Sequence, residues 1–394
     1  MKKLEKNVPV IRFKGFSDAW EQRKLGEVFT ERSEKSSKGE LISVTISSGV
    51  IKASELERKD NSSSDKSNYK VVKKGDIAYN SMRMWQGASG HSLFDGILSP
   101  AYTIIIPKKN ISSKFISYIF KKHNMIQNFQ RRSQGLTSDT WNLKFPALSG
   151  IKVEIPNYIE QAKISDFFQH IDNTIALHQR KLDALKLMKK GFLQQMFPKI
   201  EADIPKIRFA DFDGKWEQRK LGEIFNERSE RSADGELISV TINSGVIKAS
   251  KLEKKDNSSF DKSNYKVVKK GDIAYNSMRM WQGASGYSTY DGILSPAYTV
   301  IYPRKDIDTI FIAYMFKKID MIQTFQRNSQ GLTSDTWNLK FPSLSTIKIK
   351  IPANDEQIKI TNLFQKLEYT SILHQNQIEM LKKVKKAYLQ TMFI

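Results

Sequence analysis

The feature that most constrains this chain is a repeat. Its second half restates its first at a constant offset of 196 residues, with no insertion or deletion. Trp20 recurs as Trp216, Gly75 as Gly271, Trp141 as Trp337, and Glu160-Gln161 as Glu356-Gln357. A repeat that takes up half of a 394-residue chain is far too long for a solenoid, so the chain is a duplicated pair of domains.

Each unit has two parts. The first, 8–156 and 204–352, contains short β-rich runs punctuated by Gly, Ser, Asn and Pro, such as Leu41–Ile46, Tyr69–Val72, Asp76–Tyr79 and Tyr102–Ile106. Helical spacing of Phe115, Ile116, Ile119, Phe120, Ile126 and Phe129 predicts one helix over Ser113–Arg131, with Gly135 as its stop. This part reads as an α+β globule. The second part, 159–197 and 355–393, is helical. Alternate steps of four and three pick out Ile164, Phe168, Ile171, Ile175, His178, Leu182, Leu185, Lys189, Phe192 and Met196, a heptad stripe sustained over more than four repeats. The second copy places Ile360, Phe364, Leu367, Ser371, His374, Ile378, Leu381, Lys385, Tyr388 and Met392 in the same register. Two readings fit: separate amphipathic helices on separate cores, or one intramolecular coiled coil. The coiled coil is preferred, because helices of this length outrun a single globule. Packed antiparallel about a pseudo-two-fold axis, the pair should bring Ile164 to Tyr388 and not to Ile360.

The copies have not diverged evenly. They differ at 36 of the 149 positions of 8–156 but at 23 of the 41 positions of 157–197. Two blocks are identical, 65–90 with 261–286 and 133–146 with 329–342. Identity that extends to surface-type residues points to a shared ligand or to a recent duplication.

Charge then narrows the partner. With 64 Lys and Arg against 42 acids the formal net charge is +22, which favours a polyanion: nucleic acid first, an anionic membrane surface second. No apolar run approaches the roughly 20 residues that span a bilayer, and the basic start Met1–Lys6 is not followed by the apolar core of a signal peptide. With no cysteine, disulfides, zinc ribbons and thiol nucleophiles are excluded. A cytoplasmic location is expected.

Four features together resemble the specificity subunit of a type I restriction-modification system. They are the globule-helix-globule-helix order, the Lys-Gly-Asp at 74–76 and 270–272, the Ser-Gln-Gly late in each globule, and the Ile-Pro…Glu-Gln boundary at 155–161 and 351–357. The resemblance covers nearly the whole chain. It implies target-recognition domains over 1–156 and 201–352, helical spacers over 157–200 and 353–394, and an α+β fold class with an antiparallel helical pair between the domains. It further implies that the partners are double-stranded DNA, two adenine-N6 methyltransferase subunits and restriction/translocase subunits. S-adenosylmethionine, ATP and magnesium would sit on those subunits, with no cofactor on this chain.

A search for chemistry agrees with that division. There is no Gly-x-x-x-x-Gly-Lys loop and no Gly-x-Gly-x-x-Gly. Ser99-Pro100-Ala101-Tyr102 resembles the segment with which amino-methyltransferases hold a flipped base, but the second Pro is missing and a turn into the following strand is the simpler reading. Asp76 is better explained by turn chemistry than as a metal ligand.

The residues able to read DNA fall in two segments. Tyr79–Gly87 offers Asn80, Arg83 and Gln86; Arg131–Asn142 offers Arg131, Gln134, Thr137, Ser138 and Asn142. Arg pairs bidentately with guanine, and Asn or Gln with adenine. Lys73 and Lys74, with other lysines at 66, 70, 121 and 122, are candidate phosphate contacts. The second copy supplies Asn276, Arg279, Gln282, Arg327, Gln330, Thr333, Ser334 and Asn338, with Lys269 and Lys270. Trp85 and Trp141 are read as anchors more readily than as stacking platforms. The expected function is bipartite DNA reading on a near-palindromic target, without a catalytic centre. Two alternatives stand beside it: a self-sufficient DNA methyltransferase or nuclease, and an architectural DNA binder.

Overall fold

Short runs that alternate in burial build each globule. The computed structural model describes residues 8–56, 62–199, 201–252 and 259–394, so the basic start Met1–Lys6 lies outside the described residues. The first half opens with β1 (Glu21–Lys24), the single-turn α1 (Leu25–Val28), β2 (Phe29–Glu31), β3 (Ile42–Thr45) and β4 (Gly49–Lys52). There follow β5 (Lys70–Val72), β6 (Ile77–Asn80), β7 (Ser89–His91), β8 (Gly96–Leu98) and β9 (Tyr102–Pro107). Helices α2 (Ser113–Ile119), α3 (His123–Arg132) and α4 (Phe145–Ser149), strand β10 (Lys152–Ile155) and the long helix α5 (Tyr158–Gln195) complete it. Every one of these elements recurs 196 residues on, as β11–β20 and α6–α10, the last being α10 (Asn354–Thr391). The α+β class and the internal repeat are both present.

The main sheet of the first globule is antiparallel, in the order β2-β9-β6-β7. Its central strand shows why the strand periodicity matters. Ile77 and Tyr79 point into a large core with Phe29, Phe115 and Phe129. Ala78, between them, faces a smaller core of Ile42, Val44, Val50, Val72, Leu98 and Ile104. Successive side chains of a strand take opposite faces, so one strand serves both cores. Two-stranded sheets β1-β10, β3-β4 and β5-β8 complete the globule.

The single helix expected over Ser113–Arg131 is two helices. α2 ends at Ile119, and Lys122 is extended (φ −69°, ψ 143°) before α3 begins. No Gly or Pro stands at the break. Contacts on both sides of the break accompany it: Lys121 donates to the carbonyls of Gly87 (2.6 Å) and Ile46 (3.3 Å), outside the segment, and within it Phe120 packs edge-on against Phe129 at 5.2 Å across the bend. The second helix also stops before Gly135, at Arg132, with Ser133 as its cap.

The chain divides into two units, one formed by 1–178 with 376–394 and the other by 179–375. In the first unit the seam expected for an antiparallel pair is present. Phe168 lies 5.6 Å from Phe393, Phe167 lies 5.0 Å from Tyr388, and Asp172 pairs with Lys385. From Phe168 to Asp172 the partner number falls from 393 to 385, which is antiparallel packing, and Ile164 shares a core with Tyr388. The second unit has the equivalent contacts, Phe197 with Phe364 and Lys189 with Glu368. All ten stripe positions of each helix are buried or half-buried, while most positions between them are exposed. The lysines in the stripe, Lys189 and Lys385, are accommodated because each meets a carboxylate of the opposing helix. Each helix has 38 residues, ~57 Å at 1.5 Å per residue.

The Ile-Pro…Glu-Gln boundary welds helix to globule. Glu160 is fully buried and receives two hydrogen bonds from the Arg12 guanidinium, 2.6 and 2.7 Å. Gln161 accepts from the Ser112 N–H at 2.9 Å and donates to the Pro156 carbonyl at 2.9 Å. Arg208, Glu356 and Gln357 repeat the arrangement. Among the described residues no helix is long and apolar enough to cross a membrane.

Candidate nucleic-acid interface

The two segments that the sequence separates by some fifty residues meet in the fold. The first leaves the end of β6 as a tight turn: Asn80 Oδ1 accepts the Met82 N–H (3.0 Å), and the Arg83 N–H donates to the Asn80 carbonyl (3.0 Å). A one-turn 3-10 helix over Met84–Gln86 follows, closed by Gly87 at φ +84°, a left-handed conformation that favours glycine. Met84 is buried beneath it, and this turns Met82 and Arg83 outward to solvent.

The second segment leaves the end of α3. Gln134 and Asn142 exchange backbone hydrogen bonds of 3.0 and 2.8 Å, pinching 134–142 into a closed loop. Thr140 ties the interior, its N–H donating to the Thr137 carbonyl and its Oγ1 accepting from the Thr137 N–H at 3.1 Å. The segments then join. Trp85 and Trp141 pack edge to face at 5.2 Å, and the Leu143 N–H donates to the Ser81 carbonyl at 2.8 Å. Trp85 also donates its indole N–H to the Met82 carbonyl. Both tryptophans are thus anchors that hold two loops as one surface. The second globule reproduces this to the ångström, with Trp281 and Trp337 at 5.2 Å.

Placement separates the candidate residues. Arg83, Arg131, Gln134, Thr137 and Ser138 are exposed, as are Arg279, Arg327, Gln330, Thr333 and Ser334. Asn80 and Gln86 are half-buried, and the Asn80 carbonyl oxygen already serves its own turn. Asn142 turns Oδ1 inward, buried without a hydrogen-bond partner among the described residues, as does Asn338. These asparagines therefore present less to a base edge than their residue type suggests.

The lysines divide in the same way. Lys121 and Lys317 act as internal clamps, each donating to two carbonyls of neighbouring loops. Burial, with a smaller push from Lys385, lowers the Lys121 ammonium to about 8. Burial, with Lys189, does the same for Lys317. Lys70 is likewise engaged, with the Tyr102 carbonyl at 2.8 Å. Lys73 and Lys74 are exposed, but they precede β6 at the end opposite Arg83, so the fold does not bring them to the loop pair. Between them and that strand, Asp76 is buried and accepts from Arg32 (2.8 and 3.0 Å) and from the Lys73 N–H (2.8 Å), which accounts for it as a turn anchor. Ser99–Tyr102 forms the turn into β9, the Tyr102 N–H donating to the Ser99 carbonyl.

Sequence reasoning missed Leu136 and Leu332, both fully exposed at the loop tips, and Arg12 and Arg208, the half-buried partners of the buried Glu160 and Glu356. Their signal was available only as identity or equivalence between copies. Among the described residues no group of three His, Cys, Asp or Glu could hold a metal ion.

Known proteins place this architecture. The fold matches the crystal structure of the type I restriction-modification system S subunit from M. genitalium, with a TM-score of 0.60 at 15% identity over 98% of this chain and 99% of that one. The sequence is 23% identical over 352 residues to the type I restriction enzyme MjaVIII specificity subunit of Methanocaldococcus jannaschii, covering 80% of this chain and 77% of that protein. The family model described as "Type I restriction modification DNA specificity domain" matches twice, at 17–187 and 213–383, one match per repeat. This chain belongs to the type I restriction-modification DNA specificity family.

Proposed function

We propose that this chain is the DNA-reading subunit of a type I restriction-modification complex, each globule reading one half of a bipartite target. The observation that carries this is the convergence, in both globules, of two loops on a Trp–Trp contact, with Arg83, Arg131 and Gln134 and their counterparts facing solvent. Arginine and glutamine are the side chains that pair bidentately with guanine and adenine edges. A net charge of +22 supplies the sequence-independent attraction to phosphate. In this reading the chain binds no cofactor and carries out no chemistry. Methyl transfer from S-adenosylmethionine and ATP-driven restriction belong to methyltransferase and restriction/translocase subunits, docked on the helical spacers. Because the reading loops are identical in the two copies, the half-sites should share bases, and readers presented to opposite strands would select an interrupted palindrome.

Mapping methylated adenines in DNA from cells that express this chain, with and without methyltransferase subunits, tests the proposal. The expected result is methylation only in the presence of both, at one half-site and its reverse complement across a fixed gap. Methylation by this chain alone would overturn the division of labour. Half-sites unrelated in sequence would mean that the identical loops are scaffold.

A further inference from the structure

We infer that Leu136 and Leu332 are wedges that enter the base stack of the target, one in each half-site; this rests on the DNA-reading assignment above. Leu136 is 102% exposed and Leu332 is 101% exposed. A single exposed apolar residue is ordinary on a protein surface. What sets these apart is that the loop holds them out. The Gln134–Asn142 exchange closes the loop neck, and two bonds between Thr137 and Thr140 brace its interior. At Gly135, φ is +146° and the backbone runs so close to its neighbour that a Cβ would stand 2.6 Å from the Thr140 carbonyl oxygen. The loop therefore cannot fold inward to cover its leucine, and Trp141 fixes its base on Trp85. Leaving a leucine in water forgoes the favourable burial of its side chain. The same loop is kept without one difference over 133–146 and 329–342, although the globules differ at 36 of 149 positions.

The surroundings name the occupant. Arg131 and Arg132 at the end of α3 flank the loop in the first copy and Arg327 in the second, while Thr137 and Ser138 offer hydroxyls beside the leucine. An apolar tip among cations and short hydroxyls fits a polyanion with an apolar interior, which is the stacked base pairs of a duplex. Branched aliphatic side chains that enter a base step unstack it and kink the helix, and a rigid loop presents such a side chain without an ordering cost. A lateral contact with a thymine methyl would need only a threonine methyl, which the loop already has.

The test uses the full chain and duplexes carrying the mapped target, with 2-aminopurine at one position at a time, omitting the methylated adenine. Its fluorescence rises when stacking is lost. The expected result is a several-fold rise at one step in each half-site. Leu136→Ala removes the rise in one half only and Leu332→Ala in the other, while Leu136→Met keeps most of it. Circular dichroism and thermal unfolding of all three variants match those of the native chain, which shows that they fold. The wedge is overturned if no position responds, or if the rise survives Leu136→Ala. It is also overturned if replacing thymine by uracil costs as much binding as Leu136→Ala does, the mark of a lateral methyl contact, or if Leu136→Ala weakens only methyltransferase docking. Equal affinity of the native chain for mapped and scrambled DNA would instead bring down the DNA-reading assignment, and the wedge with it.

Discussion

The loops at 133–146 and the long helices have opposite histories within one chain. The loop is exposed and irregular, and it is unchanged between the copies; the helices, regular and packed along a seam, differ at 23 of 41 positions. Yet the seam is equally well formed in both. Ile171 is matched by Leu367 and Phe192 by Tyr388. Ile175 is matched by Ser371, whose hydroxyl donates to the Leu367 carbonyl of its own helix. A packed seam requires volume and apolarity at the right period, and many residues supply those. A surface that meets a ligand requires particular atoms. On the proposed function, exposure with identity marks where atoms are used, and burial with divergence marks where only shape is used.

The largest effect that could break this contrast is on stability. Phe168 is fully buried, 5.1 Å from Tyr118 and 5.6 Å from Phe393. Phe168→Ala should lower stability by ~3–5 kcal/mol, as a large-to-small core change does. Ser138→Ala, on the exposed loop, should stay within ~0.5 kcal/mol. Chemical denaturation of the two variants checks this. Similar losses would mean that the loop is kept for folding and not for a ligand.

The next effect is on recognition. Arg83 stands on a turn held by backbone hydrogen bonds to Asn80 and from Gln86, beside a buried Met84, and its side chain is exposed. Arg83→Ala should weaken binding of the mapped half-site by ~1–3 kcal/mol and scrambled DNA much less. Asn142→Ala, by contrast, alters a side chain whose oxygen points inward, and should act through loop geometry on both DNAs. Fluorescence anisotropy on the two duplexes separates these outcomes. Equal losses for Arg83→Ala on both would make it a positioning residue.

What could be read in advance follows the same division. The repeat, the α+β class and the helical seam were legible, because each rests on periodicity or on comparison of the copies; the antiparallel sense of the seam was implied by the family resemblance alone. The two segments proposed to read DNA were singled out because both lie largely within identical blocks. Their meeting was not, since Trp85 and Trp141 are far apart in sequence and no pattern announces an edge-to-face pair. The break between α2 and α3 was hidden for a related reason: Lys121 satisfies two carbonyls from loops far along the chain, and nothing local predicts a helix end there. Lysines look alike in a sequence, and only the fold separates the clamps from the exposed ones.

The smallest effect concerns those exposed lysines and sharpens the comparison within a single strand. Lys73 and Arg83 lie beyond opposite ends of β6, roughly 13 Å of strand at 3.3 Å per residue. Lys73 Nζ is 3.5 Å from Glu34 Oε2 with both side chains about half exposed, a pairing worth little in water and readily exchanged for a phosphate. If DNA extends along the globule past the loop pair, Lys73→Ala should weaken mapped and scrambled duplexes alike. It should then reduce the dependence of log affinity on log salt by about one, the signature of one lost phosphate contact. Titrations at several salt concentrations measure this slope. An unchanged slope would confine the interface to the loop end of β6, leaving Lys73 and Lys74 with only the long-range attraction that any exposed cation of this basic chain provides.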